Sequence, residues 1–227
     1  NYDKNLNLDL TKLSKSINKK TNLVIIANPN SPTGTVIDQK NLLKLIKLCK
    51  KFNSYLLIDE CYFGYYSKTI IKYVKSYNNL IISRSLSKIG LAGCRIGYLI
   101  ASRNTTKMLY KFRPFYEISS FSCLVFKSIL KDKNILKNYI KETLIGKTFL
   151  IENFKRLKIE FFPTNTNFIL VKLNSKKIKN KIIKSFAKKH ILVMGEGKLP
   201  GGDKILRITL GPKYYMEKVI NVFKNFY

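Results

Sequence analysis

An α/β architecture is predicted by three features of the 227-residue chain. From residue 23 onward, short apolar runs of strand length alternate with longer stretches of helical apolar spacing. The early runs end on polar or turn-forming residues, as strands of an open sheet do where they leave the core. No apolar run approaches the roughly 18 residues of a membrane span, so a soluble chain is expected.

Taken in order, "LVIIA" (23–27) reads as a buried strand, and "NPNSPTG" (28–34) as a turn, because its prolines and glycine cannot continue a ladder. Asp38 is placed to cap a helix running to about Asn53, with Leu42, Leu45, Ile46, Cys49 and Phe52 as its apolar stripe. "YLLID" (55–59), "LIIS" (80–83) and "GYLIA" (97–101) read as the next strands. Helices are expected near 104–112, 119–131 and 135–157, the first two separated by Pro114. Beyond them "IEFF", "NFILVKL", "ILVM" and "KILRITL" alternate with helices at 176–189 and 213–226, the pattern of a smaller α+β domain. The boundary is placed inside the long helix, giving a large domain over 1–140 and a small one over 141–227.

The formal charge of +30 raises the possibility of a nucleic-acid partner. The charge is nearly all lysine; the arginines are Arg84, Arg95, Arg103, Arg113, Arg156 and Arg207. In "KNLLKLIKLCKK" and "KKIKNKIIKSFAKKH" the lysines alternate with apolar positions at helical spacing, which favours solvated helix faces over a phosphate groove. A basic nucleic-acid binder is the rival reading, and it requires strongly salt-dependent binding. Cys49, Cys61, Cys94 and Cys123 show no metal-ligand or disulfide-scaffold spacing, and "NYDKNLNLDL" shows no signal-peptide pattern. Reduced thiols in a cytoplasmic protein, with no metal and no membrane partner, are the expectation.

Four stretches stand at the predicted strand ends: "NPNSPTG", "IDECY", "SLSKIGLAGCR" and "LRITLG". Each is common alone, but their order and spacing together resemble the pyridoxal-phosphate-dependent aminotransferases of classes I and II, most closely the histidinol-phosphate aminotransferase branch. The resemblance runs the length of the chain and implies the aspartate aminotransferase-like fold, with a mostly parallel sheet in a partial large domain and a small C-terminal domain. Members of that family are longer, so it also implies a C-terminal portion whose complete protein is a homodimer.

The resemblance assigns roles. It makes Lys88 the lysine that holds the cofactor aldehyde as a Schiff base, and Asp59 the carboxylate that keeps the pyridine nitrogen protonated. Tyr62 matches the tyrosine that hydrogen-bonds the cofactor's phenolic oxygen, and Ser85 and Arg95 match the phosphate-binding serine and arginine. Ser31 stands where the family has an asparagine that reaches the same oxygen, and Asn30 is the candidate substitute. Arg207 matches the arginine that grips the substrate's carboxylate or phosphate. In the histidinol-phosphate branch a second arginine is expected where this chain has Met194. Arg113 either reaches the pocket edge or pairs with Glu117, and His190 is read as a helix cap. The implied activity is amino transfer between an amino acid or amino phosphate and a 2-oxo acid. Decarboxylation of a phosphorylated amino acid on the same scaffold is the alternative.

Overall fold

The computed structural model describes residues 2–132, 134–195 and 199–227. The chain divides into two compact units, one of residues 8–31 and 36–136, the other of residues 2–7, 32–35 and 137–227. Among the described residues no helix is long and apolar enough to cross a membrane.

The first unit is built on a four-stranded sheet in the order β1 (Leu23–Ala27), β2 (Tyr55–Asp59), β3 (Leu80–Ser85), β4 (Gly97–Ala101). The first three strands are parallel and β4 runs antiparallel to β3. Helix α1 (Leu10–Ser16), which periodicity did not single out, precedes the sheet, and α2 (Gln39–Lys51) joins β1 to β2. The Asp38 carboxylate accepts from the Asn41 amide at 2.9 Å and so caps α2. Leu42, Leu45, Ile46 and Cys49 of α2 pack on Val24, Ile26, Leu56, Ile58, Leu80 and Ile82. All six of these strand residues lie on one face of the pleat. On the other face Leu23 is 47% and Ile25 65% exposed, so β1 is apolar on both faces and buried on only one. Helices α3 (Arg103–Tyr110) and α4 (Ser120–Lys131) follow β4. Between them Arg113 pairs with Glu117 at 2.9 Å and donates to the Tyr110 hydroxyl, so it is occupied within its own loop.

The second unit packs three helices on a three-stranded antiparallel sheet. It comprises α5 (Asn134–Arg156, whose first residues belong to the other unit), β5 (Glu160–Phe162), β6 (Phe168–Lys172), α6 (Lys176–Lys188), β7 (Ile205–Thr209) and α7 (Lys213–Phe223), with sheet order β5-β6-β7. Phe154, Phe186 and Phe223, one from each helix, meet edge to face with centroids 5.2 and 5.8 Å apart. Each buried ring contributes roughly 2–3 kcal/mol through the water it leaves. The lysines of α6 point outward except Lys179, which is buried and donates to the Gly195 carbonyl at 2.8 Å. "ILVM" does not form the expected strand. After α6 the chain turns through His190 at φ 55°, and only Met194 pairs, in an isolated bridge with Arg207.

Gly146 of α5 lies against the turn after β7: a Cβ there would sit 1.9 Å from the Gly211 carbonyl oxygen. Helix and turn meet backbone to backbone, so nothing flexible can yield. Gly146→Ala is therefore expected to destabilise the protein by about 1–3 kcal/mol, read as a lower urea midpoint; an unchanged midpoint would contradict this packing.

Candidate active site

The carboxyl ends of β1, β2 and β3 bring together most of the residues singled out in the large domain. Register sets Ala27 beside Asp59 and Asp59 beside Ser83. Parallel neighbours in register share a face, so the Asp59 and Ser83 side chains project together. The Asp59 Oδ1 accepts from the Ser83 hydroxyl at 3.0 Å and from the Cys61 amide at 3.1 Å. No ion pair among the described residues reaches Asp59.

One residue further on, the pleat turns the next pair to the opposite face. There the Arg84 guanidinium donates twice to Glu60 Oε2, at 3.0 and 2.8 Å, and Thr69 donates to the same carboxylate at 2.7 Å. The guanidinium carbon lies 3.5 Å from the centre of the Phe63 ring. Both charged side chains are less than 10% exposed, a burial tolerated only because each is paired and hydrogen-bonded. This cluster fixes the start of the loop that carries Cys61, Tyr62 and Tyr65.

Lys88 lies in a widened helical turn, Ser87–Leu91, that Gly90 closes at φ 95°. That left-handed backbone suits glycine, which has no Cβ to clash. The Tyr65 hydroxyl donates to the Lys88 carbonyl at 2.8 Å, and the Lys88 Nζ lies 5.7 Å from the centre of the Tyr62 ring. Tyr62 is 1% exposed. Burial, and then the nearby Asp59 carboxylate, push the Cys61 thiol up to about 12, while the Lys88 ammonium pulls it partly back. Asp59, Cys61 and Lys88 thus share one electrostatic neighbourhood.

Ser85 pairs with Gly97 across the β3–β4 ladder, and Leu86 bonds the Ile96 carbonyl just beyond it. This hairpin places exposed Arg95 next to the turn that starts at Ser85. The Ser85 oxygen accepts from the Ser87 amide at 3.1 Å, which leaves its proton available to an acceptor. In the loop after β1 the Asn28 side chain accepts from the Ile37 amide at 2.7 Å and donates to its carbonyl at 3.3 Å, pinning the turn shut. Asn30 within it is half-buried and Ser31 exposed. Arg207 belongs to the second unit, where its guanidinium stacks 3.8 Å from the Phe168 ring centre. Met194 faces it across the bridge, through amide–carbonyl bonds of 2.9 and 3.2 Å.

Ser83, Cys61, Tyr65 and the Glu60–Arg84 pair were not picked out from the sequence. The usable signal was positional: Asp59-Glu60 and Ser83-Arg84 stand at the ends of two consecutive strands, so a correct register would have paired them.

A thiol at about 12 stays protonated near pH 9, the ordinary thiol value, and buried Cys49 behaves alike at about 11. Iodoacetamide near pH 9 is thus expected to spare Cys61 and Cys49 in the native protein and to modify both after denaturation. Above pH 9 the unfolded chain loses these protons first, so stability falls from there toward pH 12. A native-state adduct on Cys61, found by mass spectrometry, would contradict the assignment.

Comparison with known proteins places this arrangement in context. The model of the family "Aminotransferase class I and II" matches residues 1–223. The chain is 34% identical over 221 residues to a histidinol-phosphate aminotransferase of Thermoanaerobacter sp. (strain X514), with 96% of this chain and 61% of that protein aligned. It thus spans about three fifths of that relative's length. Its fold is similar to the crystal structure of the histidinol-phosphate aminotransferase from Clostridium acetobutylicum, at TM-score 0.84 and 23% identity over 99% of this chain and 69% of that one. It is also similar to an L-threonine-O-3-phosphate decarboxylase from Porphyromonas gingivalis, at TM-score 0.74 and 20% identity over 93% and 66%.

Proposed function

Because the chain belongs to the class I and II aminotransferases, we propose that its protein is a pyridoxal-phosphate-dependent enzyme. In this reading it moves an amino group between a histidinol-phosphate-like donor and a 2-oxo acid, as a homodimer in the cytoplasm. The observation that carries the reading is the convergence of Asp59, Tyr62 and Lys88 at the ends of β2 and β3, with Cys61 responding to both charges. Four cysteines outside any disulfide support a reducing compartment.

The residues present fit the cofactor. Asp59 is a carboxylate without an ionic partner among the described residues, with Oδ1 engaged by two donors, and it suits a protonated ring nitrogen. Lys88 is the amine for the aldehyde carbon, and the Tyr62 hydroxyl is the donor for the ring oxygen. Ser85 and Arg95 supply donors for a phosphate, and Asn30 or Ser31 a further polar contact from the loop after β1. When bound, pyridoxal phosphate supplies an aldehyde carbon that joins to amines and a ring that withdraws electrons from the bond being broken. Once the substrate's amine has taken its place, the freed Lys88 Nζ would accept the proton from the substrate's α-carbon and hand it back to complete the amino transfer. Asp59 would hold the positive ring nitrogen. The Tyr65 bond to the Lys88 carbonyl holds the backbone while the side chain moves.

Arg207 is the proposed anchor for the substrate's anionic group. A second arginine beside it is expected for histidinol phosphate, and Met194 occupies that place. This single observation keeps decarboxylation of a phosphorylated amino acid as a second reading.

Absorbance separates cofactor binding from the choice of substrate. Titrated with pyridoxal phosphate, the full-length protein is expected to gain a band near the visible edge that Lys88→Ala lacks; an identical spectrum from the variant would refute the role of Lys88. Product analysis with histidinol phosphate and 2-oxoglutarate is then expected to yield glutamate. Carbon dioxide release from phosphothreonine or phosphoserine without glutamate would select the second reading.

A further inference from the structure

We infer that Ser83 is a positioning residue for the cofactor-binding carboxylate: its hydroxyl orients Asp59 so that Oδ1 is occupied and Oδ2 is presented to the ring nitrogen. The inference rests on the proposed cofactor reading.

Ser83 is the side chain that the β2–β3 register sets against Asp59, and its hydroxyl lies 3.0 Å from Oδ1. The Cys61 amide reaches the same oxygen from the turn after β2, at 3.1 Å. Two donors on one oxygen, one from β3 and one from the turn after β2, oppose rotation of the carboxylate about its terminal torsion, which is otherwise soft. Oδ2 receives neither bond, and the Cys61 thiol is a further hydrogen-bonding partner of the carboxylate. The Ser83 carbonyl also accepts from the Glu60 amide at 2.8 Å, so the residue is fixed by its backbone as well. The preceding residues on the same face are Leu57 and Ile81. The Ser83 hydroxyl interrupts that apolar row next to the carboxylate it bonds.

The test compares Ser83→Thr, which keeps the hydroxyl, with Ser83→Val, which has nearly the same shape without it. Ser83→Ala serves as the deletion without added bulk. In the full-length protein, the dissociation constant for pyridoxal phosphate, measured by absorbance titration, is expected to rise about tenfold in Val and Ala and to stay near wild type in Thr, since a hydrogen bond to a charged group is worth about that factor. With donor and acceptor saturating, kcat is expected to fall in Val and Ala at unchanged KM for the amino donor, and to recover in Thr. An unchanged cofactor affinity in both Val and Ala overturns the inference. So does a Thr variant as impaired as Val, which would mean the side chain acts by packing. A wild-type protein that never gains the Lys88-dependent band would overturn the cofactor reading itself, and that is seen before any Ser83 variant is made.

Discussion

Two consecutive cross-strand pairs at the ends of β2 and β3 organise everything around them. Strand pleating turns neighbouring residues to opposite faces, so Asp59 with Ser83 projects one way and Glu60 with Arg84 the other. The second pair is buried, doubly hydrogen-bonded, joined by Thr69 and stacked on Phe63. Losing either partner of such a pair leaves an uncompensated buried charge, at a cost of about 3–5 kcal/mol. The register that the structural pair defends on one face is the register that places the Asp59 carboxylate on the other. A slip of one residue would exchange the two acids and dissolve the site.

The fold was legible where pattern alone decides. Strands β1 to β4 are short apolar runs, helices α2 to α7 have helical apolar spacing, and Asp38 caps α2 as its residue type suggests. The pattern was less informative where tertiary context decides. "ILVM" has strand composition, yet Leu192 is 94% exposed and only Met194 pairs with a strand. "LVIIA" is apolar on both faces, which composition reads as full burial, while Leu23 and Ile25 remain exposed. Of the candidate site, Lys88, Asp59 and Tyr62 were singled out because the order and spacing of the stretches that carry them resemble a known family. Ser83, Tyr65 and Arg84 were not, because serine, tyrosine and arginine become informative only once register shows what each one touches.

Charge is the other lesson. A chain with 43 lysines and arginines against 13 acids leaves few carboxylates, and those few are mostly committed to caps or ion pairs on the surface. Asp59 has only neutral donors and no ion pair among the described residues, and unlike exposed Asp3, Asp38 and Asp132, which share that, it is half-buried at a strand end. With cation in such excess, an acid surrounded only by hydroxyl, amide and thiol stands out more clearly than any lysine does. The Lys88 ammonium reaches this neighbourhood through the field that it shares with Cys61, not through a salt bridge.

The Tyr65 bond ends on the carbonyl of Lys88 and not on its amine. Every amino acid has that carbonyl, so the anchor is indifferent to which side chain it holds. Position 88 can therefore be exchanged without losing the bond that moors the turn.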